Sequence, residues 1–328
     1  MGDNLFLITI GDPAGIGPEI VLKSFLHPQI SHIKTTLVIG SAAVLKKTNQ
    51  MLNLPLEILK VSEIPNEPIP NTLLVWDLDN VDMPNWKPGA ISAAYGHAAM
   101  EYIETAVLLA KTHGHAALIT APIHKPALRQ AGITDPGHTE ILQRLCDAPE
   151  VMTMFVVEKM RVFFYTRHLS LAKAIAALSS RGLAKMLERM DQYLRALGFE
   201  QPRLALAALN PHASDNGLFG TEEEKILKPA VALAQECGLQ VQGPIPADCL
   251  FHQALQGKYD AVLSLYHDQG HIACKTYDFE RTISVTLGLP FLRTSVDHGT
   301  AMDIAGQGIA NAVSMEQAIL QAAELIQQ

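Results

Sequence analysis

The 328-residue chain is 48% hydrophobic and 18% charged, enough to bury one large or two ordinary cores, and it holds no apolar run of the ~18 residues a membrane span needs. Its net charge of −8, unbroken by any basic run, excludes the footprint of a nucleic-acid binder, so an anionic ligand has to be held by locally placed Lys, Arg and backbone amides. Cys146, Cys237, Cys249 and Cys274 form no CxxC pair and read as reduced thiols of a cytoplasmic protein.

Residues 1–5 carry no basic segment, so no signal peptide is expected. From there short apolar runs alternate with helical patterns. Strands are expected at 5–10, 36–39, 72–75, 116–119, 153–157, 161–165, 203–209, 261–265 and 283–286. Helices are expected at 18–25, 90–113, 139–145, 171–178, 182–197, 221–237 and 315–327. This order predicts an α/β protein with a mainly parallel sheet. The Pro-rich stretch 63–71 reads as a surface loop, and 120–125 as a crossing between two lobes.

Polar motifs fall at the ends of these strands. GDPAGIGPE at 11–19 follows the first strand and opens a helix. Its glycines permit tight turns, Pro18 suits a first helical turn and Glu19 its positive end. It is not GxGxxG, and spacing alone leaves a purely structural turn open. TAPIHK at 120–125 follows another strand, and GHTE at 137–140 opens a helix, where a hydroxyl, an imidazole and free amides suit an anion. Thr139 reads equally as a helix cap.

Three histidines share one context. His168 follows the run 162–167, His212 follows 204–209, and His267 opens YHDQGH after 260–265. Carboxyl ends of buried strands are where open α/β sheets bind ligands. Neutral imidazoles there suit a divalent metal with a position left for substrate. Cys274, beside Lys275, reads as a buried spectator. Arg293, closing LGLPFLR, offers a fork for a carboxylate or phosphate. The loop DHGTAMDIAG at 297–306 has Asp residues able to hold ribose hydroxyls.

GDPAGIGPE, PGHTE at 136–140, LNPHA at 209–213, YHDQG at 266–270 and LGLPFLRTSVDHGTA at 287–301, in this order, resemble the PdxA family. These are NAD-dependent 4-hydroxythreonine-4-phosphate dehydrogenases of pyridoxal phosphate biosynthesis. The family is similar in fold to isocitrate and isopropylmalate dehydrogenases. The resemblance therefore implies a two-lobed α/β/α sandwich that is not a Rossmann fold, with a cofactor-side lobe at 1–125 plus 290–328. The substrate, metal and dimerisation lobe is expected at 126–289.

The resemblance further implies one divalent ion (Zn, Mg, Co, Mn or Ni) on His168, His212 and His267, and substrate contacts at His138, Thr139, Lys275 and Arg293. A further contact, usually Asn, falls on Ser284, which offers a hydroxyl in place of an amide. NAD or NADP is expected against Asp297, Gly299, Thr300, Asp303 and Gly306, the counterpart of the HGSAPDIAG-like loop of the relatives. Lys275 is the expected proton shuttle, with Asp248 and Asp268 as alternatives; Asp268 equally reads as a carboxylate orienting a ligand histidine. A homodimer with the active site at its interface is implied, acting on a small phosphorylated hydroxy acid, with no nucleic-acid or membrane partner. A sister group oxidises D-threonate or D-erythronate 4-phosphate, and HIACK at 271–275 with TAPIHK looks somewhat like it. A metal-dependent phosphohydrolase and a non-catalytic phosphometabolite-binding protein are the readings outside the family.

Overall fold

The computed structural model describes residues 4–33, 35–64, 69 and 72–327. Most of the Pro-rich stretch 63–71, and the first three residues, lie outside them. The chain divides into two compact units, Met1–Val151 with Ile283–Gln327, and Met152–Thr282. The division falls at 151/152 and 282/283, so residues 126–151 and 283–289 group with the first unit instead of the second lobe expected at 126–289.

The first unit begins β1 (Leu5–Thr9), α1 (Gly17–Ser24), β2 (Thr36–Gly40), α2 (Ala42–Leu52), β3 (Glu57–Val61), β4 (Thr72–Asp77), α3 (Ala93–His113), β5 (Ala116–Thr120), α4 (Lys125–Gln130) and α5 (His138–Leu145). The second unit holds β6 (Met152–Val157), β7 (Met160–Phe164), α6 (Leu171–Ala176), α7 (Ser180–Ala196), β8 (Arg203–Ala207), α8 (Lys228–Glu236), β9 (Gln240–Ile245), α9 (Ala247–Leu255), β10 (Ala261–Ser264) and α10 (His267–Tyr277). The chain then returns to the first unit with β11 (Ile283–Leu287), β12 (Leu292–Val296) and α11 (Val313–Gln327).

In the first unit the strands run β3-β4-β2-β1-β5-β12-β11, parallel except for the β11–β12 hairpin. In the second they run β6-β7-β10-β8-β9, parallel except for the β6–β7 hairpin. The expected α/β alternation is thus present. Buried runs such as Leu5–Thr9 and Ala116–Thr120 explain it: parallel strands covered on both faces read as unbroken apolar stretches. Among the described residues no helix is long and apolar enough to cross a membrane.

The expected single helix at 221–237 is instead a π-helical turn, Glu223–Leu227, followed by α8. Pro229 has no N–H to give and its ring crowds the carbonyl one turn back, so the turn widens before the helix settles. Residues 267–277 form α10, a helix absent from those expected.

The glycine-rich loop at 11–17 is tightly built. Gly11 has φ +68°, and a Cβ there would lie 2.2 Å from the Pro122 carbonyl oxygen, so only glycine fits. The Ile16 N–H donates to the Thr300 carbonyl at 3.0 Å, and Gly89 N–H to that of Ala14 at 2.7 Å. Trp86 Nε1–H donates to the Pro13 carbonyl at 2.9 Å. The loop therefore packs directly on the 297–306 loop.

At its heart Asp12 is fully buried. Oδ1 accepts the Ala14 N–H at 2.9 Å, while Oδ2 has no partner. Burial pushes its pKa up to about 6, against the smaller opposing effect of the Ala14 hydrogen bond. Because the folded-state pKa is raised, the stability that protonated Asp12 contributes is complete below its ordinary value of 3.8 and lost as pH rises through about 6. The size of that loss is on the order of 3 kcal/mol. Asp12→Asn is expected to remove this slope, gaining stability over the wild type at pH 8 relative to pH 4. Urea unfolding of both proteins at the two pH values measures it, and parallel pH dependences would refute it.

Candidate functional site

Parallel pairing sets β7, β10 and β8 side by side, and each is followed by one of the three histidines. His168 and His267 come within 6.3 Å, ring centroid to centroid. At that separation the two imidazoles could approach one ion together. His267 Nδ1 lies 2.6 Å from Asp268 Oδ1, which directs Nε2 outward as the donor atom in the manner of a carboxylate-oriented metal ligand. His271, one turn further on, stacks on His267 at 3.6 Å and 11°.

His212 does not join this pair in one chain. Among the described residues no group of three or more His, Cys, Asp or Glu side chains is placed to hold a metal ion. Residues 212–216 run through the left-handed region, with φ from 46° to 67°, at about 1–2 kcal/mol for each non-glycine residue. Buried Ser214, accepting the Gly217 N–H at 3.0 Å, holds the turn. The donor chemistry fits a divalent ion; two of the three donors are brought together.

Asp248, in the first turn of α9, and Asp268 both line a groove of about 570 Å³ that also takes in Tyr266, Gln269, Ile272 and Tyr277. Lys275, partly buried on α10, carries its ammonium 5.3 Å from the Phe279 ring centroid. Cys274 is fully buried, as expected of a spectator.

In the first unit Arg293 is 4% exposed. Its guanidinium donates to Thr286 Oγ1 and to Thr120 Oγ1, each at 2.8 Å, and Nε has no partner. Among the described residues no carboxylate lies within ion-pair distance. Burial pushes its pKa down to about 10, and the more distant charge of Glu140 offsets this only in part. His138 Nε2 is also buried without a partner, and its pKa is held well below the usual histidine range, first by burial and then by the Arg293 charge. An orphaned guanidinium N–H and an orphaned imidazole nitrogen buried around hydroxyls have the chemistry of an anion socket. Ser284 is buried on β11. Thr139 is not a cap, since Gly137 occupies that position and α5 starts at His138.

The motif reading missed Thr286. Its signal was the strand period, because residues two apart on one strand share a face with Ser284. The strand β12, which carries Arg293, also escaped, since LRTSV has too many polar residues to read as an apolar run.

In the 297–306 loop, Thr300 is buried and Asp303 exposed. His298 Nε2 is buried and unpartnered, and the space a side chain at Gly299 would take is open. Gly306, with φ +76°, abuts Pro88. An open glycine beside an orphaned polar atom fits a cofactor lying on the loop.

The second unit carries strand-end imidazoles, residue types that suit a metal ion, and the first a buried, carboxylate-free arginine, a residue type that suits an anion. The family model described as "Pyridoxal phosphate biosynthetic protein PdxA" matches residues 32–322, and the chain belongs to that family. A Fusobacterium nucleatum protein with the provisional name D-threonate 4-phosphate dehydrogenase is 49% identical over 318 residues, 97% of this chain and 96% of its own. The crystal structure of 4-hydroxythreonine-4-phosphate dehydrogenase from Klebsiella pneumoniae covers 98% of this chain and 99% of its own at 38% identity, with a TM-score of 0.90. That of 4-hydroxythreonine-4-phosphate dehydrogenase from Burkholderia phymatum covers 98% of each at 42% identity and 0.86.

A buried charge without a counter-charge costs stability until an anion arrives. Arg293→Met is expected to raise the melting temperature by a few degrees, a gain on the order of 1 kcal/mol, and to abolish the stabilisation that inorganic phosphate gives the wild type. Thermal melts with and without phosphate check both effects. A variant still stabilised by phosphate would remove Arg293 from the anion socket.

Proposed function

We propose that this oxidoreductase oxidises the C3 hydroxyl of a four-carbon acid phosphorylated at C4, with NAD (or NADP) as hydride acceptor and one divalent ion. Family membership supports the reaction, and the buried, carboxylate-free Arg293 beside His138 supports the anionic substrate. The first reading is 4-phosphohydroxy-L-threonine, oxidised to 2-amino-3-oxo-4-phosphohydroxybutanoate, which decarboxylates to 3-amino-2-oxopropyl phosphate. The second is D-threonate 4-phosphate, favoured by the name of the relative at 49% identity. The two differ at C2, amine against hydroxyl. The turnover of each substrate, followed by NADH absorbance, decides between them. Phosphate release without NADH would instead support a hydrolase, and neither signal a binding protein.

His168, His212 and His267 would hold the ion, with a second copy of the chain completing the set at a dimer interface. Exposed Ile272 and Phe279 supply apolar surface suited to that contact. Bound there, the ion supplies Lewis acidity toward the C3 hydroxyl, and the nicotinamide supplies the hydride acceptor. Asp268 orients His267. Arg293 and His138, with Thr139 and Ser284, grip the anionic groups and fix C3. Lys275 takes the hydroxyl proton, with Asp248 and Asp268, on their shared groove, as alternatives. The isocitrate dehydrogenase-type sandwich is the corresponding fold proposal, with the cofactor on the 297–306 loop at Asp297, Gly299, Thr300, Asp303 and Gly306.

Exposed Asp303 has room to accept ribose hydroxyls. Asp303→Ala is expected to raise the KM for NAD roughly tenfold, the loss of about one charged hydrogen bond, with little change in that for substrate. Steady-state kinetics with each varied in turn tests the placement; equal effects on both would count against it.

A further inference from the structure

We infer that Gln269 is a positioning residue that ties the segments carrying His267 and His212 to each other; the inference rests on the reading of these histidines as metal ligands. Gln269 lies two residues after His267 in α10. Its Oε1 accepts the N–H of Leu265, at the end of β10, at 2.7 Å. Its Nε2 donates to the carbonyl of Ala208, at the end of β8, at 2.7 Å. One amide thus spans the carboxyl ends of two neighbouring parallel strands, using an acceptor on one side and a donor on the other. A carboxamide supplies both from one rigid plane without carrying charge.

The far side of the same β8 exit is held by a second side chain. Glu223, 1% exposed in the π-helical turn, accepts the N–H groups of Leu209 and Asn210 at 2.9 and 2.7 Å, and the Asn210 amide at 2.8 Å. The Ala208 N–H meanwhile donates to the Ile245 carbonyl at 2.8 Å. Residues 208–210 are therefore fixed at every backbone group named, and His212 lies only two positions beyond Asn210. Past that anchor the chain enters its left-handed turn. On this layout Glu223 fixes the loop to its own surroundings, while Gln269 links the loop to the helix that presents His267.

The isosteric change Gln269→Glu keeps the acceptor for Leu265 and removes the donor to Ala208. Gln269→Met, of similar length and neutral, removes both without adding charge. Cobalt(II) chloride titrated into the metal-free protein, read by visible absorption, gives affinity and coordination geometry without reference to turnover. Both variants are expected to keep the wild-type melting temperature within a few degrees and to bind cobalt roughly ten- to a hundredfold more weakly, with an altered spectrum. Wild-type affinity and spectrum in Gln269→Met would overturn the inference alone. So would failure of either variant to fold, which would make Gln269 a residue of the fold and not of the site. Cobalt binding unaffected by His267→Ala, or absent from the wild type, would overturn the metal reading and the inference with it.

Discussion

Parallel pairing of β7, β10 and β8 is the constraint from which the candidate site arises. Parallel strands all release their chains at the same end, so the residues that come after them are neighbours in space however far apart they are in sequence. His168, His212 and His267 are separated by dozens of residues and owe their shared edge to this alone. The pairing delivers the segments and does not place the side chains. His168 and His267 meet because both leave their strands directly, while the left-handed run at 212–216 carries His212 on a course of its own.

The first unit depends on a different constraint, the cost of burying charge. Arg293 sits on β12 opposite Thr286 and is flanked by β5, where no carboxylate balances it and neutral hydroxyls fill only part of its donor fork. Hydroxyls orient a guanidinium without neutralising it. The electrostatic attraction stays available for an incoming anion, which a paired arginine would have spent on its partner. Burial first, and the Arg293 charge after it, hold the pKa of neighbouring His138 well below the usual histidine range, so the pair presents one fixed charge and one neutral imidazole.

Much of the architecture was legible in the sequence because buried strands are continuous apolar runs, and nine of the described strands matched that pattern. The strands that escaped have physical reasons. β3 is a largely exposed edge whose apolar run is broken by Glu57 and Lys60, β9 contains Gly243-Pro244, and β12 spends its interior positions on Arg293, Thr294 and Ser295. The motif at 266–271 gave no helix signal because Gly270 and its polar neighbours are poor helix formers. Gly270 is there for packing, since a Cβ would lie 2.6 Å from Phe164. Histidine positions were legible from the strands they succeed. Their separations were not, because backbone dihedrals at 212–216 leave no trace in residue type. The lobe boundary was missed because residues 126–151 look no different in composition from residues 152–282.

Some polar groups inside this chain find partners within the fold, and others do not. Glu19 accepts from Lys23 and from the backbone of Gly308 and Ala310, buried Glu223 accepts backbone N–H groups, and half-buried Gln269 bridges two backbone groups. Such groups repay their desolvation within the fold and fix loops that have no regular structure of their own. Arg293 Nε, His138 Nε2 and His298 Nε2 are buried with no partner. A fold under no other demand would fill or replace them, since each costs about 1–3 kcal/mol. They belong to residues of the proposed substrate and cofactor sites, where a bound anion or nucleotide would meet them. The satisfied groups hold their loops in place, and these three nitrogens are ones that binding there would complete.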